Sequence, residues 1–524
     1  MNGTALHARF LRGLAVSPSG CAVRCGGEAY SFERVHELAL RWAGALLAGL
    51  PERPRAVGVL AGKGIESYAG LLAVLYAGAT AVPLYPDFPA VRTKRMLEAA
   101  EVAALLVDEA GLAVTAELAA AGLDLPMLAP AVAGSIPVTG GAALDEPAGA
   151  AADDVAYVLF TSGSTGRPKA VPITHGNANH YFGLIDRRYD FDADDVFSQT
   201  FDLNFDCAMF DLFCAWGAGA TVQPVPGPVY RVLPNFLSEH RVSVWFSTPS
   251  GISLVRRLGG LDPGSMPTLR WSLFAGEALR ASDAADWQAA APRSTVENIY
   301  GPTELTVTVS GHRWDAESSP GLCVNGLVPI GTVHEGHRHA LLTADDEPSE
   351  TEGELCITGP QLTPGYLDPQ DGQGRFLDRD GMRWYRTGDR VRRLANGELV
   401  YLGRLDAQVQ VQGLRVELAE IEHALRGCAG VDDAVAVTRD GDSGTELVVF
   451  YTGTPSRPGA LATQLRRVLP TAMVPRQYRH MTEFPLNPNR KVDRSRLARE
   501  AAVTPDDNRG ERRGLGVWPT RSAG

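Results

Sequence analysis

Nine consecutive residues, Thr161-Ser162-Gly163-Ser164-Thr165-Gly166-Arg167-Pro168-Lys169, concentrate the groups that hold a phosphate. Glycine lets backbone N–H groups approach phosphate oxygens closely, and the serine and threonine hydroxyls add further donors. Lys169 ends the run with a compact ammonium. An isolated Gly/Ser stretch favours a flexible surface turn. Here the apolar segment 155–160 leads straight into it, and the order strand, loop, lysine favours a phosphate loop instead. The spacing does not match the Walker A pattern. The lysine itself is informative. Of 49 basic residues only Lys63, Lys94, Lys169 and Lys491 are lysine. Where any positive charge serves, this chain uses arginine, and a planar guanidinium is no substitute at a site built for an ammonium.

These groups need elements to present them. From about residue 28 to 108, apolar helical segments alternate with short strands at 56–60, 81–84 and 103–107, which predicts α/β structure with a mainly parallel sheet. Residues 118–153, rich in Ala, Gly and Pro, read as weak elements or a surface connection. Strand–helix alternation resumes to about residue 310, and a Gly- and Asp-rich section with short strands follows, ending at 398–403. Beyond Asp406 the character changes. Gln408-Val409-Gln410-Val411 alternates like a half-buried strand, 417–425 and 460–469 read as helices, and 446–452 as a strand. The expected organisation is a large domain over 1–405, a small α+β domain over 406–500, and a charged, Gly-rich tail over 501–524 that reads as disordered.

Composition narrows the class. A formal net charge of −12 over 524 residues argues against a nucleic-acid partner, which needs clustered positive charge. The seven cysteines include no CxxC pair, and Cys21 and Cys25 lack a second half for a zinc site, so the chain fits a reducing cytoplasm. No apolar leader with a cleavage site opens it. The uncharged stretch 67–86 is long enough for a membrane span, yet it holds Gly70, Gly78 and Pro83 and reads better as a helix ending near Gly78 followed by a strand. The expectation is a cytoplasmic protein with neither membrane nor nucleic-acid partners.

With these segments in place the chain resembles the adenylate-forming superfamily, which contains acyl-CoA synthetases, luciferases and the adenylation domains of nonribosomal peptide synthetases. The 161–169 loop resembles its phosphate loop, with Ala170 where a final Gly is usual. Leu75-Tyr76-Ala77-Gly78-Ala79 with Val82-Pro83-Leu84 resembles an early structural motif. Asn298-Ile299-Tyr300-Gly301-Pro302-Thr303-Glu304, Tyr385-Arg386-Thr387-Gly388-Asp389, Gly403-Arg404-Leu405-Asp406 with Gly413-Leu414-Arg415-Val416-Glu417, and Asn489-Arg490-Lys491-Val492-Asp493-Arg494 follow in order. Arg490 replaces a usual Gly. The resemblance spans most of the chain and is strongest to stand-alone amino-acid adenylation enzymes.

It implies a large N-terminal adenylate-forming domain of mixed sheets flanked by helices, with a small mobile α+β domain, and it implies ATP and Mg²⁺. Thr161, Ser162, Gly163, Ser164, Thr165, Gly166 and Lys169 would hold phosphates. Gly276, Glu277, Ala278, Asn298, Ile299, Tyr300, Gly301 and Thr303 would line the nucleotide. Tyr300 offers a ring face to adenine and Asn298 offers amide donors and acceptors to its edge. Asp389 and Arg404 would bind ribose, although Asp389 in a TGD turn can equally be a turn cap. Glu304 is a hard carboxylate suited to Mg²⁺. Lys491 would stabilise charge developing on the transferring oxygens, and Asp406 would be the hinge of the small domain.

Phe205-Asp206-Cys207-Ala208-Met209-Phe210-Asp211 resembles the substrate helix of amino-acid adenylation domains. Asp206 would pair with the substrate's amine, against the plainer reading of a helix N-cap. The family's other pocket positions fall on Cys207, Phe210, Ser250, Leu273, Ala275, Ile299, Val307, Thr308 and Lys491. Apart from Asp206 and Lys491 none is charged, so the side chain would be small or medium and uncharged, of an α-, D- or β-amino acid. Ser250 and Thr308 offer hydroxyls. No carrier attachment serine of the GG[HD]S type lies in the C-terminal region, so a phosphopantetheine carrier protein would come in trans. An acyl-CoA synthetase of a plain acid, or a non-catalytic nucleotide-binding relative, are the alternatives.

Overall fold

The computed structural model describes residues 4–129, 135–138, 140–163, 167–405, 408–441, 444–485 and 492–502. Short runs such as Ala56-Val57-Gly58-Val59-Leu60 are buried along their whole length, the signature of parallel strands covered on both faces. Five strands, Met127–Leu128, Ala104–Val107, Ala56–Leu60, Thr80–Leu84 and Val155–Thr161, pair in parallel in that order, and Lys169–Thr174 closes the sheet antiparallel to the last of them. The strands that flank the phosphate-type loop therefore pair antiparallel, with Thr161 opposite Lys169.

A nine-stranded sheet stands beside it. Its parallel centre runs through Thr221–Pro224, Val196–Gln199, Val244–Ser247, Trp271–Phe274 and Thr295–Tyr300, with antiparallel strands at both edges. A third, antiparallel sheet of six strands lies between Arg338 and Arg404. After it come the hairpin Gln408–Val411 with Leu414–Glu417, a three-stranded sheet, and the helices Leu418–Arg426, Pro458–Leu465 and Arg494–Ala502. The latter group packs around its own cluster, which includes Ile421, Leu425, Val449 and Leu461. Asp406 and the tail from 503 lie outside the described residues.

The membrane-length stretch resolves into the helix Ile65–Tyr76, buried from Ser67 onward, and the strand Thr80–Leu84. A helix apolar on all sides belongs in the middle of a large core, and this one packs in the cluster that joins the two parallel sheets. Among the described residues no helix is long and apolar enough to cross a membrane. The helix read at 460–469 is Pro458–Leu465. Pro458 pre-sets its first turn, and the chain turns before Pro470.

The helix Asp206–Ala218 lies within this core and ends at Gly219, whose φ of 78 suits a left-handed C-cap. Trp216 on it meets Phe10 and Phe213 edge-on at 5.3 and 5.5 Å and donates its indole N–H to Ala22 O at 3.2 Å. Trp216→Ala is expected to cost about 3–5 kcal/mol, read as a lower chemical-denaturation midpoint.

Candidate active site

Thr161 and Ser162, Gly301 after the Thr295–Tyr300 strand and the start of the Asp206–Ala218 helix converge around one cavity. Gly163 is required there: a Cβ would stand 2.1 Å from Arg167 O. Ser162 Oγ donates to Arg415 O at 2.6 Å and accepts from Glu417 N at 3.1 Å, so the hairpin 408–417 is seated on the loop. Lys169 Nζ lies 3.4 Å from Asp371 O and 5.6 Å from the Tyr366 ring centre. Burial, with the Arg375 charge beside it, pushes the Lys169 ammonium below the usual lysine range. Ser164, Thr165, Gly166, Lys491 and Asp406 fall outside the described residues.

Glu304 sits in a single 3₁₀ turn, Thr303–Leu305, followed by Thr306 and Val307 at φ 55 and 67. Such backbone is costly for branched residues and persists only where neighbours enforce it. Gln361 does so, its amide donating to the carbonyls of Leu305, Thr306 and Thr308. The Glu304 side chain is fully buried. Tyr366 donates to it at 2.6 Å, and Arg415 Nη1 reaches its two oxygens at 3.1 and 3.0 Å. Burial alone would raise its pKa, but the Arg415 charge and the Tyr366 hydroxyl outweigh that and hold it below the usual glutamate range.

A cleft of about 560 Å³ runs from Glu277 and Ala278 past Asn298, Ile299, Tyr300 and Gly301 to Asp389 and Arg404. Tyr300 donates its hydroxyl to Asp389 Oδ2 at 2.5 Å, and Arg404 donates to Asp389 Oδ1 at 2.8 Å. Burial raises the Asp389 pKa against the pull of Arg404. This is more than a turn cap: Asp389 ties the third sheet to the cleft. Asn298 differs from expectation. Its amide N–H groups are taken by Val328 O and Pro329 O at 3.3 and 2.8 Å, which leaves its carbonyl oxygen for a ligand. Glu277 accepts from Ser250 N and from Gly413 N, both at 2.8 Å, and Gly276 adjoins it.

A smaller cavity, about 100 Å³, is walled by Asp206, Cys207, Ala275, Thr303 and Val307 and shares Gly276, Gly301 and Arg415 with the cleft. Asp206 is the first helical residue, Phe205 is the N-cap, and no side chain caps the helix, so the capping reading does not hold. Asp206 is partly buried and has no cation within ion-pair distance among the described residues. Burial raises its pKa to about 6, against hydrogen bonds from Thr303 and Cys207. Phe210 and Leu273 are fully buried, and Ile299 borders the cleft. The two hydroxyls are otherwise engaged. Thr308 pairs with Tyr181 at 2.9 Å, and Ser250 pairs with Thr248 at 2.9 Å and borders the larger cleft.

Beyond this cavity a crevice of about 840 Å³ opens between the large body and residues after 408, sharing Phe88, Asn204, Phe205, Leu414 and Pro470 with it. Arg92 and Glu420 form a buried ion pair across the same junction at 2.5 Å. Sequence reasoning gave no role to Arg415, Arg375, Tyr366 or this pair. Arg415 stood in a quoted motif, but nothing local to it signals a partner 111 residues away. Arg415→Met would strand Glu304 without its cation, at a cost of about 3–5 kcal/mol near pH 7. Because Glu304 has a lowered folded pKa, the stability its pairing contributes is present above the unfolded carboxyl pKa and lost as pH falls through the folded one. Thermal melts of variant and wild type should therefore draw together as pH falls below about 4.3 and coincide only below the lowered folded pKa of Glu304.

The AMP-binding enzyme family matches residues 12–367. The L-proline--[L-prolyl-carrier protein] ligase of Pseudomonas fluorescens is 31% identical over 506 residues, covering 94% of this chain and 99% of that protein. The crystal structure of IdnL7 is 57% identical, with a TM-score of 0.74, covering 95% of this chain and 99% of that one. The Vibrio cholerae adenylation domain AlmE, solved in complex with glycyl-adenosine-5'-phosphate, is 28% identical with a TM-score of 0.85, covering 96% of this chain and 98% of that one. Other relatives are much longer synthetases, of which the chain spans 14% to 46%. The match over residues 12–367 places the chain in the AMP-binding enzyme family, as an adenylate-forming ligase that uses ATP.

Proposed function

We propose that this enzyme activates a small uncharged amino acid as its aminoacyl-AMP and then passes the aminoacyl group to the phosphopantetheine thiol of a separate carrier protein. The observation that carries the reading is Asp206: a carboxylate at the wall of a small cavity, beside the nucleotide cleft, without a cation among the described residues. A substrate ammonium supplies that cation, whereas a plain acid leaves the carboxylate uncompensated. The roughly 100 Å³ of space and the prior engagement of Ser250 and Thr308 favour a small apolar side chain over a hydroxylated one. The names of the carrier-protein ligase and of the glycyl-adenylate complex point the same way.

In the first half-reaction the amino acid's carboxylate oxygen attacks the α-phosphorus of ATP, and the bond to the bridging oxygen breaks to release pyrophosphate. The hairpin loop and Lys169 hold the phosphates. Lys491 meets the charge that builds on the transferring oxygens. Asp389 and Arg404 hold the ribose. Glu304 fits Mg²⁺, which takes one or two carboxylates and completes its shell with phosphate oxygens and water. When bound, the ion neutralises charge on those oxygens. Arg415 occupies Glu304 here, so the small domain, 406–500, turns about Asp406 to free that carboxylate and bring Lys491 in. In the second half-reaction a thiol attacks the acyl carbonyl carbon and AMP leaves. The crevice beside Phe205 and Leu414 is a route for that thiol.

ATP–pyrophosphate exchange across glycine, alanine, β-alanine, serine, valine and leucine tests the reading. Strong exchange with a small apolar amino acid, lost in Lys491→Ala, is expected; exchange with none would refute it. A second expectation concerns pH. Asp206 must be ionised to hold an ammonium and its pKa is raised to about 6, so KM for the amino acid should climb as pH falls below that value. Asp206→Asn should abolish this dependence.

A further inference from the structure

Two of the four lysines, Lys169 and Lys491, stand in motifs that use an ammonium. A third, Lys63, lies far from both in sequence. It sits between Gly62 and Gly64, where the Ala56–Leu60 strand gives way to the Ile65–Tyr76 helix. Gly62 N donates to Asp108 Oδ2 at 2.8 Å, which holds this turn in place. From it the Lys63 side chain crosses from one parallel sheet to the end of the other. Nζ donates to Gln199 O at 3.0 Å and Thr200 O at 2.8 Å, and Asp202 Oδ1 lies 3.7 Å away. Its charge also faces Asp211, a fully buried carboxyl with no hydrogen-bond partner on either oxygen. Two carbonyls and a carboxylate converging on one point suit a compact ammonium with three donors, and not a planar fork.

These acceptors begin the loop 200–205, which leads directly into Asp206. The loop supplies Phe201, Asn204 and Phe205 to the wall of the small cavity. Its start is fixed from two further sides. Tyr68 donates to Gln199 Oε1 at 3.1 Å, and Thr200 Oγ1 donates to Phe246 O at 2.6 Å. Its end is a turn in which Phe205 N donates to Asp202 O at 3.0 Å. Lys63 thus grips both the backbone where the loop leaves the sheet and the residue that makes the final turn before the helix.

We propose that Lys63 is a positioning residue for amino-acid recognition: by holding the loop 200–205 it sets the direction in which Asp206 presents its carboxylate to the substrate's amine. Lys63 touches no substrate and acts through Asp206. The inference rests on the reading of Asp206 as the amine partner, and a shift of an ångström in such a partner is enough to weaken binding by one to two orders of magnitude.

The test compares Lys63→Met, Lys63→Arg, Asp206→Asn and the double variant Lys63→Met/Asp206→Asn by ATP–pyrophosphate exchange, with the amino acid of the panel that the wild type exchanges best. Lys63→Met should raise KM for the amino acid about tenfold or more while KM for ATP stays within about twofold. Lys63→Arg should fall between it and wild type. In the Asp206→Asn background the Met substitution should add less than about twofold, because its effect is already spent. Equal rises in both KM values, or additive losses in the double variant, would show that Lys63 only supports the fold and would overturn the proposal. An unchanged amino-acid KM in Asp206→Asn would instead overturn the reading of Asp206 itself.

Discussion

A carboxylate withdrawn from water is tolerated only where a cation or several hydrogen bonds meet it, and three such groups surround the centre of this molecule. Glu304 is met by Arg415 and Tyr366. Asp389 is met by Arg404 and Tyr300. Asp206 is the third, and among the described residues it has hydrogen bonds but no cation. The arrangement around the site follows from these unequal pairings. The third sheet is tied to the larger cleft through Asp389, the hairpin 408–417 is seated on Ser162 through Arg415 and Glu417, and the Asp206 carboxyl is left at the wall of the small cavity without a cation among the described residues.

In the proposed mechanism the same constraint gives the residues after 408 a reason to move. Arg415 belongs to the small C-terminal group of elements, and it occupies a carboxylate that a divalent cation also fits. In the proposed cycle the ion would take the place of the arginine. Under that proposal, an arginine carried by the C-terminal elements would be withdrawn without unfolding the large core. The buried Arg92–Glu420 pair and the contacts of Ser162 with Arg415 and Glu417 hold the present arrangement.

Much of this was legible in the residues. Runs such as 56–60 and 81–84 announced buried parallel strands because their apolar residues are continuous, and the phosphate-type loop announced itself by glycine, hydroxyl and lysine in one run. The motifs singled out Asp206 and Glu304, two carboxyls that the structure withdraws from bulk water. What stayed hidden depends on contacts distant in sequence. The antiparallel pairing of the strands that flank the loop was invisible because a run rich in Gly, Ser and Thr serves an antiparallel return as well as a strand-to-helix turn. The silencing of Thr308 depends on Tyr181, 127 residues away. The orientation of Asn298 depends on the backbone carbonyls of Val328 and Pro329. Lysine scarcity drew attention to Lys169 and Lys491 but gave Lys63 no role, because the carbonyls it meets, Gln199 O and Thr200 O, lie 136 and 137 residues away.

The central claim, that the unmatched charge of Asp206 selects an amine, is tested most directly by pairing an amino acid with its desamino counterpart. Exchange supported by alanine and by propionate would be measured side by side in the wild type and in Asp206→Asn. The account predicts a preference for alanine of about a hundredfold or more in the wild type, collapsing in the variant. Equal use of the two acids by the wild type, or a preference for alanine that survives in Asp206→Asn, would contradict it.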